Sequence, residues 1–191
     1  MNKIIGILGM QGAIAEHQEI LLQIPHTKTR IVKTAKDLDC IDGLILPGGE
    51  STAIGKLLDY FSLKEILQQK IISGLPVFGT CAGLILLAKN IENQTNTHLA
   101  TMDITVKRNG YGSQLDSFST NLLIPTIDKN MPIPLVFIRA PYITKTDKDV
   151  QILATLDNKI IAARQKNMLV TAFHPELTND LRFHQYFLSM I

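Results

Sequence analysis

A cysteine between two glycines is the most reactive-looking feature of this sequence. Cys81 follows a short apolar run that ends at Phe78, and Gly79 and Gly83 flank it two residues away on each side. This G-x-C-x-G spacing is typical of a nucleophile elbow, a tight turn between a strand and a helix where the neighbouring residues must be small. The pattern predicts a strand over 75–78, a helical run over 84–88 and a thiol nucleophile at the turn.

Such a position would activate a thiol and stabilise an anion. The dipole of the following helix favours the thiolate of Cys81 over the thiol. The first N–H groups of that helix have no partner within it and are free to bind an oxyanion. The alternative is that Cys81 is a small buried hydrophobic residue, which is the usual role of a cysteine.

A thiol nucleophile needs a base, and the base needs an orienting group. Of the five histidines, His174 stands out because it follows the apolar run 169–173, as Cys81 follows its own strand. In an extended segment Glu176 would point to the same side as His174, and its carboxylate would hold one imidazole nitrogen. The alternative is a structural histidine. His184 is expected at the surface or as a helix cap.

The first half of the chain alternates apolar runs with helical segments. Strands are predicted over 4–8, 29–33, 42–46 and 75–78, and helices over 13–24, from residue 53 to about 60, and over 63–72. This alternation favours a parallel α/β sheet, in which ligands bind at the carboxyl ends of the strands. Three strand ends carry glycine, at 9–12, 48–51 and 80–83, and we expect them to converge on one crevice.

The second half contains short strand candidates with little helix between them. They cover 104–108, 121–124, 135–138, 150–156, 159–164 and 169–173, and a closing helix is predicted over 178–191. Asp157-Asn158 between two of the runs indicates a hairpin turn. This half is therefore predicted to be mostly antiparallel and to extend the parallel core. Nothing resembles a linker, so the expectation is a single domain over residues 1–191.

Bulk composition excludes several classes of protein. Hydrophobic residues make up 46% and charged residues 19% of the chain, as in globular proteins. A net charge of +2 with scattered basic residues argues against a nucleic-acid or membrane surface. The two cysteines, Cys40 and Cys81, suggest neither a disulfide framework nor a metal site. With no signal or membrane-spanning pattern, we expect a cytoplasmic protein, whose reducing surroundings would keep Cys81 a thiol.

Two motifs together resemble a known family. Residues 79–83 (Gly-Thr-Cys-Ala-Gly) and 173–176 (Phe-His-Pro-Glu) look like the class I, or triad, glutamine amidotransferases. Further segments narrow the resemblance to the glutaminase subunits of pyridoxal 5'-phosphate (vitamin B6) synthase, at 8–12, 46–52, 108–109, 114–118, 137–141 and 174–178. The resemblance covers essentially the whole chain. It implies a three-layer, flavodoxin-like α/β fold with a mostly parallel central sheet and an antiparallel extension.

The resemblance also implies a reaction. Cys81 would attack the side-chain amide of L-glutamine, His174 would take the thiol proton and pass a proton to the leaving ammonia, and Glu176 would orient His174. Water would then hydrolyse the thioester to L-glutamate. The chain would need no metal or organic cofactor. The ammonia would pass to the synthase (lyase) subunit of a hetero-oligomeric complex, which builds pyridoxal 5'-phosphate.

Further residues match positions of the family that bind the substrate or the oxyanion. The glutamine-binding positions are Gly48, Gly49, Glu50, Arg108, Ile138 and Arg139. The oxyanion donors implied by the resemblance are Gly49 and Ala82, together with the Gln11-Gly12 peptide, which the partner would complete or reorient.

The sequence departs from the family pattern at two places. Residues 110–113 are Gly-Tyr-Gly-Ser where the family usually has Ser-Phe-Gly-Arg, and Tyr142 replaces a usual histidine. These departures would affect the details of substrate or partner contact and not the reaction.

Three other functions are compatible with parts of this pattern. The chain would be a glutaminase for another synthase, such as one in purine, histidine or tryptophan biosynthesis, if a different partner activated it. It would be a noncatalytic binding module if the triad were broken, yet all three members are present. A cysteine peptidase would cleave peptide bonds without a preference for glutamine.

Overall fold

The computed structural model describes residues 2–110 and 117–191. Residues 111–116 lie outside the described residues. They include most of the departure from the family pattern at 110–113 and the start of the 114–118 segment. The strands are β1 (Lys3–Leu8), β2 (Thr27–Val32), β3 (Gly43–Leu46), β4 (Val77–Thr80), β5 (Ala88–Ile91), β6 (Met102–Lys107), β7 (Ser117–Leu122), β8 (Ile133–Ile138), β9 (Tyr142–Thr146), β10 (Gln151–Leu156), β11 (Lys159–Gln165) and β12 (Met168–Thr171). The helices are α1 (Ile14–Leu22), α2 (Ser51–Tyr60), α3 (Lys64–Ile72), α4 (Ala82–Leu87) and α5 (Arg182–Leu188).

The main sheet has a parallel part and an antiparallel part. Its strand order is β2-β1-β3-β4-β12-β11-β9-β6-β5, with β10 paired to β11. The first five strands in this order are parallel and follow the 2-1-3-4-5 arrangement of flavodoxin-like folds. Strand β11 pairs antiparallel with β12, β9 and β10. The prediction of a mostly parallel core with an antiparallel extension is confirmed.

The parallel strands are buried along their length. Every residue of β3, β4 and β12 is buried, as the continuous apolar runs predict for the centre of a parallel sheet. By contrast, β6 in the main sheet and β8 in a separate two-stranded sheet alternate buried and more exposed residues. Within the separate hairpin of β7 and β8, the rings of Phe118 and Phe137 stack with centroids 4.5 Å apart. Phe137 also meets the ring of Phe173, just after β12, edge to face at 5.7 Å, which packs the hairpin beside the main sheet.

The turn between β10 and β11 lies where the sequence places it. Asp157 and Asn158 both have positive φ, 48° and 60°, as a two-residue hairpin turn that matches the strand twist requires. Within the described residues, the structure contains no helix long and apolar enough to cross a membrane.

Several element bounds differ from the prediction. The closing helix is only Arg182–Leu188, because Pro175–Leu177 form a 3-10 turn and the side chains of Thr178 and Asp180 bind backbone N–H groups just before the helix. The sequence analysis does not anticipate β5 or β9. The expectation of a surface or capping His184 is wrong, since its side chain is completely buried.

Candidate active site

The expected convergence of the three glycine-bearing strand ends is confirmed. The loops after β1, β3 and β4 and the residues after β12 surround one pocket of about 520 Å³. The residues lining it are Gln11, Gly12, Ala13, Glu16, Gly48, Gly49, Glu50, Ser51, Cys81, Ile85, Arg108, Asn109, Ile138, Arg139, Pro141, His174 and Leu177. Among the described residues, no group of three or more His, Cys, Asp or Glu side chains is placed to hold a metal ion.

Cys81 occupies a strained turn between β4 and α4. Its φ of 48° and ψ of −97° are unusual for a residue with a side chain. A Cβ atom at residue 79 would lie 2.6 Å from the carbonyl carbon of Gly83, and one at residue 83 would lie 2.2 Å from the Leu46 oxygen. Only glycines therefore allow this turn to close, which is the steric requirement that the sequence spacing indicates.

His174 and Glu176 lie beside Cys81. The Nδ1 atom of His174 is 2.7 Å from Glu176 Oε1, and the ring of His174 and the side chain of Cys81 both lie next to Gly48 in the pocket. The expectation of an extended segment is wrong. Glu176 lies in the 3-10 turn that starts at Pro175, and this turn folds its carboxylate back onto the ring of His174. The pairing of the two side chains is nonetheless the one expected.

The surroundings of His174 favour its charged form. Burial lowers its pKa, but hydrogen bonds to Cys81 and Glu176 and the negative charges of both raise the pKa of His174 to about 10. Burial raises the pKa of Glu176, yet the nearby His17 and His174 outweigh it and lower this pKa. The Glu176 carboxylate, on the side of the ring that carries Nδ1, stabilises the His174 imidazolium.

Gly48 leaves room for the His174 ring. A Cβ atom at residue 48 would lie 2.3 Å from His174 Cε1. The Gly48 N–H donates to Thr80 Oγ1 at 3.0 Å, and its carbonyl accepts from the Ala13 N–H at 2.9 Å. Because the peptide is trans, the N–H of Gly49 points away from Ala13. Both faces of the loop are thus fixed by hydrogen bonds.

The other oxyanion candidates lie around the same loop. Ala82 is the first residue of α4, so its N–H has no partner within the helix. Gln11 and Gly12 line the pocket, and the side-chain oxygen of Gln11 accepts from the Glu50 N–H at 2.8 Å. Gly12 has a φ of 113°, and a Cβ there would lie 1.8 Å from the Gly48 oxygen.

All six residues predicted to bind the substrate line the pocket. Glu50 accepts from the N–H groups of Thr52 and Ala53, so it caps α2. Burial raises the pKa of Glu50, but these two N–H groups and Arg108 outweigh it and lower this pKa. Arg108 donates to Glu50 Oε1 at 3.0 Å and to Thr52 Oγ1 at 3.2 Å. Glu50 therefore holds the Arg108 guanidinium at the wall of the pocket.

The two departures from the family pattern are in contact. A Cβ atom at residue 110 would lie 2.1 Å from Cδ1 of Tyr142. Glycine at residue 110 thus leaves room for the Tyr142 ring.

Sequence reasoning missed a row of buried polar side chains behind the triad. His17 Nε2 lies 3.1 Å from Thr80 Oγ1 and 3.6 Å from Glu176 Oε2, and His17 Nδ1 lies 3.0 Å from His184 Nε2. His17, Thr80 and His184 are fully buried.

Helical spacing contains a signal for the first of these residues. His17 falls three residues after Ile14 and three and four residues before Ile20 and Leu21. It therefore lies on the apolar face of α1, where a histidine must find buried partners. No comparable signal identifies Thr80 or its contacts.

Comparison with known proteins gives consistent results. The model of the SNO glutamine amidotransferase family matches residues 7–191. A protein named pyridoxal 5'-phosphate synthase subunit PdxT, from Ruminiclostridium cellulolyticum, is 53% identical over 189 residues, which cover 99% of this chain and 100% of that protein. A crystal structure described as a glutamine amidotransferase has a TM-score of 0.90 at 37% identity and covers 97% of each chain. PurLQS from Thermotoga maritima has a TM-score of 0.71 at 15% identity over 99% of both chains, a likeness of fold alone.

Proposed function

The chain belongs to the SNO glutamine amidotransferase family, and from this premise we propose that it is the glutaminase subunit of a pyridoxal 5'-phosphate synthase. It hydrolyses L-glutamine to L-glutamate and ammonia, and the ammonia is used for pyridoxal 5'-phosphate synthesis. The observation that carries this proposal is the hydrogen-bonded pair of His174 and Glu176 beside Cys81, at the ends of two parallel strands. The 53% identity to a named synthase subunit over its full length supports the assignment of the product.

We propose that Cys81 is the nucleophile and His174 the acid and base. The Cys81 thiolate attacks the carboxamide carbon of glutamine, and the C–N bond breaks as His174 gives its proton to the leaving ammonia. Water then attacks the glutamyl thioester while His174 takes a proton from it, and glutamate leaves. Glu176 orients the imidazole and stabilises its charged form, which the 2.7 Å contact between the two side chains supports.

The oxyanion of each tetrahedral intermediate needs donors on one side of the pocket. We assign this role to the N–H groups of Gly49 and Ala82, with the Gln11-Gly12 peptide as a further contributor. The Ala13 N–H binds the Gly48 carbonyl and so fixes the orientation of the Gly48-Gly49 peptide, and Thr80 holds the preceding peptide through the Gly48 N–H. Both contacts support this assignment. Donors held in place before the reaction stabilise the developing charge without reorganisation.

Recognition of glutamine involves the two charged groups on its α-carbon. We propose that Arg108 and Arg139 bind the α-carboxylate, since guanidinium groups match carboxylate geometry. Glu50 holds Arg108 and supplies a negative charge that suits the α-ammonium. Gly48, Gly49 and Ile138 complete the wall of the pocket. The position of all six residues around the same pocket supports this arrangement.

The partner is a pyridoxal 5'-phosphate synthase subunit in a hetero-oligomeric complex, in line with the name of the relative. We further propose that residues 1–191 form one amidotransferase domain and that the protein works in the cytoplasm. The two free cysteines, one of them the nucleophile, support a reducing compartment.

The test is ammonia release from glutamine by the purified chain, with and without a pyridoxal 5'-phosphate synthase subunit. We expect strong stimulation by that subunit and no activity in the Cys81→Ala variant. Glutaminase activity that the subunit does not stimulate would point to a glutaminase of another synthase. Absence of activity in every condition would favour a noncatalytic module, and cleavage of peptides without glutamine preference would favour a peptidase.

A further inference from the structure

Two buried histidines behind the triad, His17 and His184, have no role in the chemistry described above. His17, on α1, is completely buried and lies between Glu176, Thr80 and His184. Burying a polar side chain costs free energy unless polar contacts compensate for the loss of water. The two nitrogens of His17 face different partners, and this asymmetry decides what the residue can do.

We propose that His17 is a positioning residue with two effects: it stabilises the Glu176 carboxylate and, through the Thr80 hydroxyl, holds the Gly48 N–H. It thereby connects thiol activation and the Gly48-Gly49 loop to helix α1. This inference rests on the proposed glutaminase function.

The hydrogen-bond partners define the tautomer of His17. Burial lowers the pKa of His17 and, more strongly, that of His184, so both rings are neutral and carry one proton each. If His17 Nε2 is protonated, it donates toward Thr80 Oγ1 and Glu176 Oε2, while Nδ1 accepts from His184. Of the ring nitrogens of the two histidines, only His184 Nδ1 then lacks a partner among the described residues, and it presents a lone pair. The opposite tautomer would leave a buried N–H on His184 and turn a lone pair of His17 toward the carboxylate, which costs more.

The first effect concerns the second oxygen of Glu176. While Oε1 binds His174, Oε2 is buried and has no hydrogen-bond partner among the described residues. His17 Nε2 lies 3.6 Å from this oxygen. This distance is longer than a hydrogen bond, so the contact is an attraction between an N–H dipole and a charge. Removing it would make the ionised carboxylate, and hence the His174 imidazolium, less stable.

The second effect concerns the loop that presents Gly49. Thr80 Oγ1 accepts from the Gly48 N–H at 3.0 Å and contacts His17 Nε2 at 3.1 Å. A proton from His17 leaves the hydroxyl oxygen able to accept a second one, so the two contacts are compatible. Helix α1 reaches the same loop at its start, where the Ala13 N–H donates to the Gly48 carbonyl. The Gly48 carbonyl is thus bound by the residue that precedes α1, and the Gly48 N–H is linked through Thr80 to His17 on α1.

The experiment uses a reaction that requires neither glutamine nor the partner. The rate at which iodoacetamide alkylates Cys81, measured across pH, reports the thiolate that His174 stabilises. The measurement uses a Cys40→Ser background, because Cys40 is an exposed free thiol. Besides Cys81 and His174, the ionisable groups near this pair are Glu176, His17 and, facing His17, Glu16 and His184.

The variants separate positioning from simple packing. We expect His17→Leu to shift the alkylation profile upward by about one pH unit and to lower kcat about tenfold with little change in KM. His17→Gln, whose amide still donates, should stay within about threefold of the parent. The His17→Leu/His184→Leu double variant, which leaves no His184 ring without its partner, should show the same shift of the profile and the same fall in kcat. Leu21→Ala, equally buried on the same helix, is the packing control and should lower only thermal stability.

Thr80 tests the second effect separately. Thr80→Val should lower kcat while the alkylation profile of Cys81 stays in place, and Thr80→Ser should restore the rate. The inference is overturned if folded His17 variants keep the parent's profile and kcat and lose only thermal stability, as Leu21→Ala does. If the parent itself releases no ammonia from glutamine with the synthase subunit, the proposed function fails, but the alkylation profile still decides the role of His17.

Discussion

The groups proposed to carry out the chemistry follow the parallel strands, whereas both arginines proposed to bind the α-carboxylate of glutamine follow antiparallel strands. Cys81 follows β4 and His174 follows β12, and their exposed fractions are only 8% and 7%. Arg108 follows β6, and Ile138 ends β8 with an exposed fraction of 36%. The pocket lies between these two regions.

This contrast has a physical basis. Proton transfer and nucleophilic attack need fixed geometry, and the parallel part provides it through a strained turn, obligatory glycines and buried hydrogen bonds. Recognition of a charged substrate tolerates longer side chains that adjust to it. Changes at Cys81, His174 and Glu176 should therefore act on kcat, and changes at the groups proposed to bind the charged ends of glutamine should act on KM. Four experiments examine this division, beginning with the largest effect.

Glu176→Gln should nearly abolish catalysis. The amide keeps the size of the carboxylate but removes the charge that stabilises the His174 imidazolium, so we expect kcat to fall by roughly 10³-fold with little change in KM. The measurement is steady-state ammonia release with the synthase subunit present. Glu50→Gln, another pocket carboxylate, is the comparison and should act mainly on KM. A small effect of Glu176→Gln on kcat would contradict the role of the triad carboxylate.

The charge of His174 should also make stability depend on pH. Its pKa is raised from 6.5 to about 10, so the stabilisation by its charged form is fully present below pH 6.5 and is lost as the pH rises through about 10. Each unit corresponds to about 1.4 kcal/mol, so the total is a few kcal/mol. The lowered pKa of Glu176 acts oppositely: its contribution is present above about pH 4.5 and is lost as the pH falls through the lowered value.

Urea unfolding between pH 6 and pH 10 measures this dependence. We expect the free energy of unfolding of the parent to fall over this range and that of His174→Gln to fall much less. Arg139→Ala, on the antiparallel side, serves as a control and should keep the slope of the parent. Parallel curves for the parent and His174→Gln would show that the imidazole carries no extra proton in the folded state.

Arg139→Ala should weaken substrate binding more than turnover. Loss of a guanidinium that binds the α-carboxylate is expected to raise KM about tenfold and to change kcat by less than about threefold. Arg139→Lys keeps the charge without the paired N–H groups and should give an intermediate KM. Alkylation of Cys81 by iodoacetamide should not change in either variant. A fall in kcat at constant KM would assign Arg139 to the chemical side of the pocket.

Local patterns in the sequence predict the parts of the site that neighbouring residues form, but not the contacts between distant residues. The spacing around Cys81 encodes a backbone geometry, so the elbow is readable from five consecutive residues, and the proximity of His174 and Glu176 in sequence makes their pairing readable as well. The contacts of His17 join residues 63 and 167 positions apart, and only the folded chain brings them together. The pattern on α1 shows that His17 is buried, but not which groups it meets.

Local hydrogen bonds explain the other errors. The 3-10 turn at Pro175 replaces the extended segment expected for Glu176, and side-chain bonds from Thr178 and Asp180 delay the start of α5. Strand β9 is half polar and is stabilised mainly by its pairing with β6, which is distant in sequence. Its own residues therefore give a weak signal.

Asn158→Ala should have the smallest effect and tests whether the antiparallel extension is separable from the site. Asn158 does not line the pocket, and its φ of 60° is less favourable for alanine than for asparagine, by about 1 kcal/mol. For a chain of this length we expect a fall in Tm of about 2–4 °C, with kcat and KM unchanged. Asn158→Gly, which accepts positive φ, should keep the Tm of the parent. If Asn158→Ala instead raised KM, the hairpin of β10 and β11 would take part in placing the substrate-binding residues, and the two regions would not be independent.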